Sequence, residues 1–77
     1  MKDKLKQILS STLNVPEEQI KEESSVENVE GWDSLAHLNI ILSLEQSFGI
    51  SISPEEAIEM TSLTSMRKKL RELGLNV

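Results

Sequence analysis

Apolar side chains recur at three- and four-residue steps through most of this 77-residue chain, a spacing that commits it to helices packed face to face. Leu5, Ile8, Leu9, Thr12 and Leu13 form one such stripe and predict a first helix from Asp3 to Leu13. Asn14 and Val15-Pro16 end it, because the residue before a proline avoids the helical region. A second helix starts at Asp33 or Ser34 and stops at Phe48-Gly49. Ser53-Pro54-Glu55-Glu56 reads as a capping box with proline at the first helical position, opening a short third helix to Met60. Thr61 or Ser62 caps the fourth, whose stripe is Leu63, Met66, Leu70 and Leu73, before Gly74. The expected fold is all-α: a small four-helix bundle, three helices longer and the third short, in a single domain over residues 1–77.

The connection from Val15 to Trp32 is too long to be structureless in so small a bundle. Ile20, Val26, Val29 and Trp32 are spaced along it as anchors, and Pro16-Glu17-Glu18-Gln19 predicts a short turn. Composition limits the core that receives them. Trp32 and Phe48 are the only aromatic residues and there is no cysteine, so aliphatic packing alone holds the fold. The absence of cysteine fits a reducing compartment. Met1-Lys2-Asp3-Lys4-Leu5-Lys6 has no apolar run resembling a signal peptide, and no segment has the roughly 20 apolar residues of a membrane span. The expectation is a cytoplasmic monomer that does not engage a membrane.

Charge is segregated. Residues 1–6 carry three lysines against Asp3, and residues 67–77 carry Arg67, Lys68, Lys69 and Arg71 against Glu72. Between them Lys21 stands against eleven acids, and the net charge is −5. An acidic middle repels phosphate backbones and argues against nucleic acid as a partner. The glutamates of the connection, Glu17, Glu18, Glu22, Glu23, Glu27 and Glu30, lack the spacing and the glycine of a calcium loop, so no metal site is expected.

The second helix has two apolar faces. At 100° per residue, His37, Ile40, Ile41, Leu44 and Phe48 share one stripe wide enough to face the core. Leu35, Leu38 and Leu42 cluster on another side, bordered by Asn39, Glu45 and Gln46. That second patch either packs under the long connection or is exposed to meet a partner.

The segment Glu30-Gly31-Trp32-Asp33-Ser34-Leu35 leads into its first turn, and there Ser34 could be a cap, a nucleophile or a modification site. Asp33, Ser34 and His37 contain the residue types of a hydrolytic triad, but one turn of one helix supplies neither a base oriented from another element nor an oxyanion hole. No catalytic residue is expected, and His37 reads as a partly buried residue bonded to a loop carbonyl.

An acidic loop, then Gly-x-Asp-Ser-Leu, then an aliphatic helix ending Glu-x-x-Phe, resembles the acyl carrier proteins. The likeness extends over the first helix, Val15-Pro16-Glu17-Glu18, Asp33-Ser34-Leu35, Leu44-Glu45-Gln46-Ser47-Phe48, Ile52-Ser53-Pro54-Glu55-Glu56 and Thr61-Ser62-Leu63. It implies that Ser34 receives 4'-phosphopantetheine from coenzyme A, becoming an O-(pantetheine 4'-phosphoryl)serine, with Asp33 and Leu35 read by the phosphopantetheinyl transferase. It implies a non-catalytic carrier that holds acyl groups as thioesters and delivers them to partner enzymes of fatty-acid, polyketide or related biosynthesis. Leu35, Leu38, Asn39, Leu42 and Glu45 would form the partner face. Ile41, Leu44, Phe48, Ile58, Leu63 and Met66 would line the space where the family shelters short acyl chains, with Met60 and Met66 pliable enough to yield.

The position suits a phosphodiester, since unpaired amides and the positive dipole end lie at a helix N-terminus. The chain departs from the fatty-acid pattern at Ala36, Asn39 and Gln46, where acids are common, at Gly31-Trp32 and at His37. These departures point to a stand-alone carrier whose partners, a loading ligase and acyl-processing enzymes, read the leucine patch. They also leave open an aminoacyl or D-alanyl cargo. An unmodified helical adaptor presenting that patch is the alternative from a different class.

Overall fold

A computed structural model describes residues 3–77 and contains four α-helices: α1 (Lys4–Leu13), α2 (Ser34–Phe48), α3 (Pro54–Glu59) and α4 (Leu63–Glu72). The expected short turn is a single 3-10 turn at Glu17–Gln19. No strand occurs among the described residues; one isolated bridge pairs Ser25 with Ser62. The fold is the small helical bundle that the spacing predicts.

Local chemistry sets each boundary. The Asp3 carboxylate accepts from Lys6 N–H and caps α1, so the helix starts one residue later than expected. Asn14 closes it in the left-handed region at φ 57, a conformation open to asparagine at small cost. Gly49 closes α2 in the same way at φ 65. Ser53 and Glu56 form the predicted reciprocal box on α3, and Ser62, not Thr61, caps α4. Met60 falls just outside α3 as its C-cap.

The core is aliphatic with one indole. Leu5, Leu9 and Leu13 of α1 meet Ile40, Ile41 and Leu44 of α2 and Leu63, Met66 and Leu70 of α4, joined by Ile20, Trp32, Ile52 and Met60. Leu5, Leu9, Ile40, Leu44, Leu63, Met66 and Leu70 are wholly buried, so removing a methyl cluster from any of them costs about 2–5 kcal/mol. Leu73, expected on the α4 stripe, is instead 40% exposed, because it sits past the last turn.

The long connection is tied down mainly at its middle. Ile20 and Trp32 are buried and Val29 is partly buried, as expected, whereas Val26 is 37% exposed and lies outside the buried core. The backbone here is anchored directly: Val26 N–H donates to Thr61 O at 3.0 Å, and Leu63 N–H donates to Ser24 O at 2.9 Å. Thr64 Oγ1 donates to Glu22 O, and the Arg67 guanidinium bridges Glu22 and Asp3 at 2.7 and 2.9 Å. The connection therefore docks on the first turn of α4 and leaves the second face of α2 uncovered. Leu35, Leu38 and Leu42 are 68%, 54% and 46% exposed, which decides between the two alternatives for that face.

Candidate functional site

The chain turns sharply into α2. Gly31 takes φ 91, a backbone conformation that side-chain-bearing residues rarely adopt. Trp32 N–H bonds back to Val29 O at 3.2 Å, and the indole enters the core with 4% of its surface exposed. Asp33 and Ser34 then face solvent.

Asp33, not Ser34, is the cap. Its Oδ1 accepts from Ala36 N–H at 2.9 Å, and its carbonyl accepts from His37 N–H at 2.8 Å. Ser34 is the first helical residue, and among the described residues nothing engages its hydroxyl. The Ser34 and Leu35 amides likewise have no backbone acceptor in the helix. An exposed hydroxyl thus lies beside two unpaired N–H groups at the positive end of a 15-residue helix.

His37 is fixed from both sides. Trp32 Nε1–H donates to His37 Nδ1 at 3.0 Å, and Nε2 lies 2.8 Å from Ala57 O. The indole can only donate and the carbonyl can only accept, so the imidazole is neutral with its proton on Nε2. The two rings stack 6.1 Å apart at 29°. The expected carbonyl partner belongs to α3 rather than to a loop, and the indole partner was not foreseen. With both nitrogens occupied, His37 has no lone pair to offer Ser34 as a base.

Beside the serine is a depression of about 350 Å³ lined by Val26, Trp32, Asp33, Ser34 and His37. Ion pairs and caps elsewhere in the bundle displace the titration of their own groups. Hydrogen bonds donated to Glu22 and Asp3 hold the Arg67 guanidinium more firmly protonated than usual, against the opposing effect of burial. The Ser53 N–H and hydroxyl hold the Glu56 carboxyl below its ordinary range.

The remaining expected residues divide. Asn39 is exposed with Leu35, Leu38 and Leu42, but Glu45 turns back to accept Ile52 N–H at 2.8 Å and helps fix the α2–α3 link. Ile41, Leu44, Leu63 and Met66 are buried and Phe48 is partly buried. Ile58 is 72% exposed and lines no interior: on a six-residue helix with no buried residue, its side chain points to water.

A family model described as the phosphopantetheine attachment site matches residues 3–70. The chain belongs to that family. Phosphopantetheine-attachment domains carry 4'-phosphopantetheine covalently, so this chain is a carrier protein whose cofactor is that group. Membership implies encounters with a phosphopantetheinyl transferase and with biosynthetic enzymes that use the carrier. No helix among the described residues is long and apolar enough to cross a membrane.

The residues at the start of α2 suit this cofactor. A phosphodiester needs an accessible oxygen and tolerates anionic charge best near free amides, and the exposed Ser34 hydroxyl and the Ser34 and Leu35 N–H groups offer both.

Proposed function

We propose that Ser34 is the attachment residue and that residues 1–77 act as one non-catalytic carrier domain for acyl intermediates, delivered as thioesters to enzymes of fatty-acid, polyketide or related biosynthesis. One observation carries the assignment: Asp33 takes over the cap, which leaves the Ser34 hydroxyl exposed and unbonded in the family's motif. In the loading step Ser34 Oγ attacks the coenzyme A phosphorus nearer the pantetheine. Its proton passes to a base of the transferase, and the pyrophosphate bond to adenosine bisphosphate breaks. A phosphodiester formed there would retain one negative charge, which the Ser34 and Leu35 amides at the start of α2 would offset. The bound group supplies a terminal thiol that holds the cargo, while the protein supplies position and delivery.

Leu35, Leu38 and Leu42 form the face that the transferase and acyl-processing enzymes bury, with Asn39 at its border. Their exposure on one helix supports this reading, because an uncovered aliphatic face beside the attachment point has no structural use within the bundle. The protein works as a monomer in the cytosol, away from nucleic acid and membranes.

Incubation with a phosphopantetheinyl transferase and coenzyme A, followed by peptide mass spectrometry, tests the assignment. The mass increment is expected on the Ser34 peptide and absent from Ser34→Ala. Ser24, Ser25, Ser43, Ser47, Ser51 and Ser53 serve as internal controls, and modification of any of them would refute it.

A further inference from the structure

We propose that the depression beside Ser34 seats the pantoyl end of the prosthetic arm against Val26, Trp32 and His37; this rests on Ser34 being the attachment residue. The pantoyl unit is the first part of the arm beyond the phosphate and carries two geminal methyl groups. A few bonds from Ser34 Oγ, these methyls are the nearest apolar surface of the arm to the protein. The nearest cavity is the one Ser34 itself lines, and its other walls include an aliphatic side chain and two rings.

Val26 makes this a built seat and not an accident of a loose loop. It is 37% exposed, although Ile20 and Trp32 on the same connection are buried. The backbone beneath it is fixed by Val26 N–H to Thr61 O, by Leu63 N–H to Ser24 O and by the Ser25–Ser62 bridge. An apolar side chain with more than a third of its surface exposed is thus held by a bonded backbone at the wall of the depression, so little ordering remains to be done when a ligand arrives.

The rings complete the wall. The mutual hydrogen bond of Trp32 and His37, and that of His37 to Ala57, use up their polar atoms, so these rings offer apolar surface with no unmet donor or acceptor. Leu44, Leu63 and Met66, between α2 and α4, are wholly buried and line no part of this depression.

The test uses isotope-labelled protein converted to the holo form with a phosphopantetheinyl transferase and unlabelled coenzyme A. Mass spectrometry of the Ser34 peptide first establishes attachment. Isotope-filtered NOE spectra should then connect the arm's geminal methyls to the Val26 methyls and the Trp32 ring, and the Val26 methyl signals should shift between apo and holo protein. Val26→Asp should be modified fully yet lose these cross-peaks. Val26→Ala, a milder change that preserves the fold, should weaken them severalfold. A modified Ser34 whose arm methyls contact nothing, or contact Leu38 and Leu42, overturns the seat and leaves the carrier assignment standing. Modification at another serine overturns both.

Discussion

Trp32 and His37, five residues apart, are joined side chain to side chain by a 3.0 Å hydrogen bond across the entry to α2. The bond determines which imidazole nitrogen bears the proton, and through Nε2 it reaches Ala57 on α3. The connection, α2 and α3 are therefore linked through one ring.

Breaking that link should show as coupling. Trp32→Phe removes the donor, and His37→Leu removes both acceptor and donor, each leaving a partly buried polar atom unmatched at a cost of about 1–3 kcal/mol. In a double-mutant cycle followed by urea unfolding, the pair should couple by about 0.5–1.5 kcal/mol. Strict additivity would show that the bond contributes nothing. Nitrogen NMR of the imidazole should report the Nε2–H form.

Leu38→Asp and Leu42→Asp should separate stability from recognition. Both positions are about half exposed, so each change should move the unfolding free energy by no more than about 0.5 kcal/mol. Loading by the transferase or transfer by a partner should fall at least tenfold, since a partner would have to bury an unpaired carboxylate. Normal transfer kinetics in both variants would remove the leucines from the docking face.

Asp33→Ala should cost about 0.5–2 kcal/mol by leaving Ala36 N–H uncapped, whereas Asp33→Asn should retain most of the stability. Thermal unfolding of the two variants side by side makes the comparison. Equal losses would mean that Asp33 stabilises by charge and not by capping.

Acid should destabilise the fold through two carboxylates. Partial burial pushes the Asp3 carboxyl up, but hydrogen bonds from Arg67 and Lys6 N–H and the guanidinium charge outweigh it and hold the group below its ordinary range. Glu56 is lowered by the Ser53 N–H and hydroxyl, with help from Lys69. Both groups bind protons more weakly folded than unfolded. Their stabilisation is therefore full at neutral pH and fades as pH falls through the carboxylate range to the depressed folded values. Arg67→Met should flatten the acid limb of a stability–pH curve. An unchanged slope would show that Asp3 gains nothing from the pair.

The four helices were legible because their signals are local. A stripe such as Leu5, Leu9 and Leu13 and a box such as Ser53 with Glu56 lie within a few residues, where spacing translates directly into geometry. The family motif around Ser34 was legible for the same reason. Arg67 meeting Glu22 across 45 positions, or Val26 bonding to Thr61, depends on how the chain returns on itself, and no local pattern announces it. The capping role of Asp33 was ambiguous because Asp and Ser are both good caps, and only the backbone, extended at Asp33 and helical from Ser34, decides between them. Ile58 was misplaced because a six-residue helix is too short for a periodic stripe to reveal its inner side.

The attachment of the Val15–Trp32 connection to the first turn of α4 has a dynamic consequence. Its Ser24 and Val26 contacts lie beside the Ser62 cap, so the connection cannot lift away without exposing the start of α4 and, with it, Leu63 and Met66. The longest non-helical stretch is thus part of the cooperative unit. The amides of Leu63 and Val26 should exchange with solvent only in the global opening that also releases α4, while those of α3, which buries none of its own residues, exchange by smaller excursions. On this ground the shortest helix, and not the longest loop, is expected to open first.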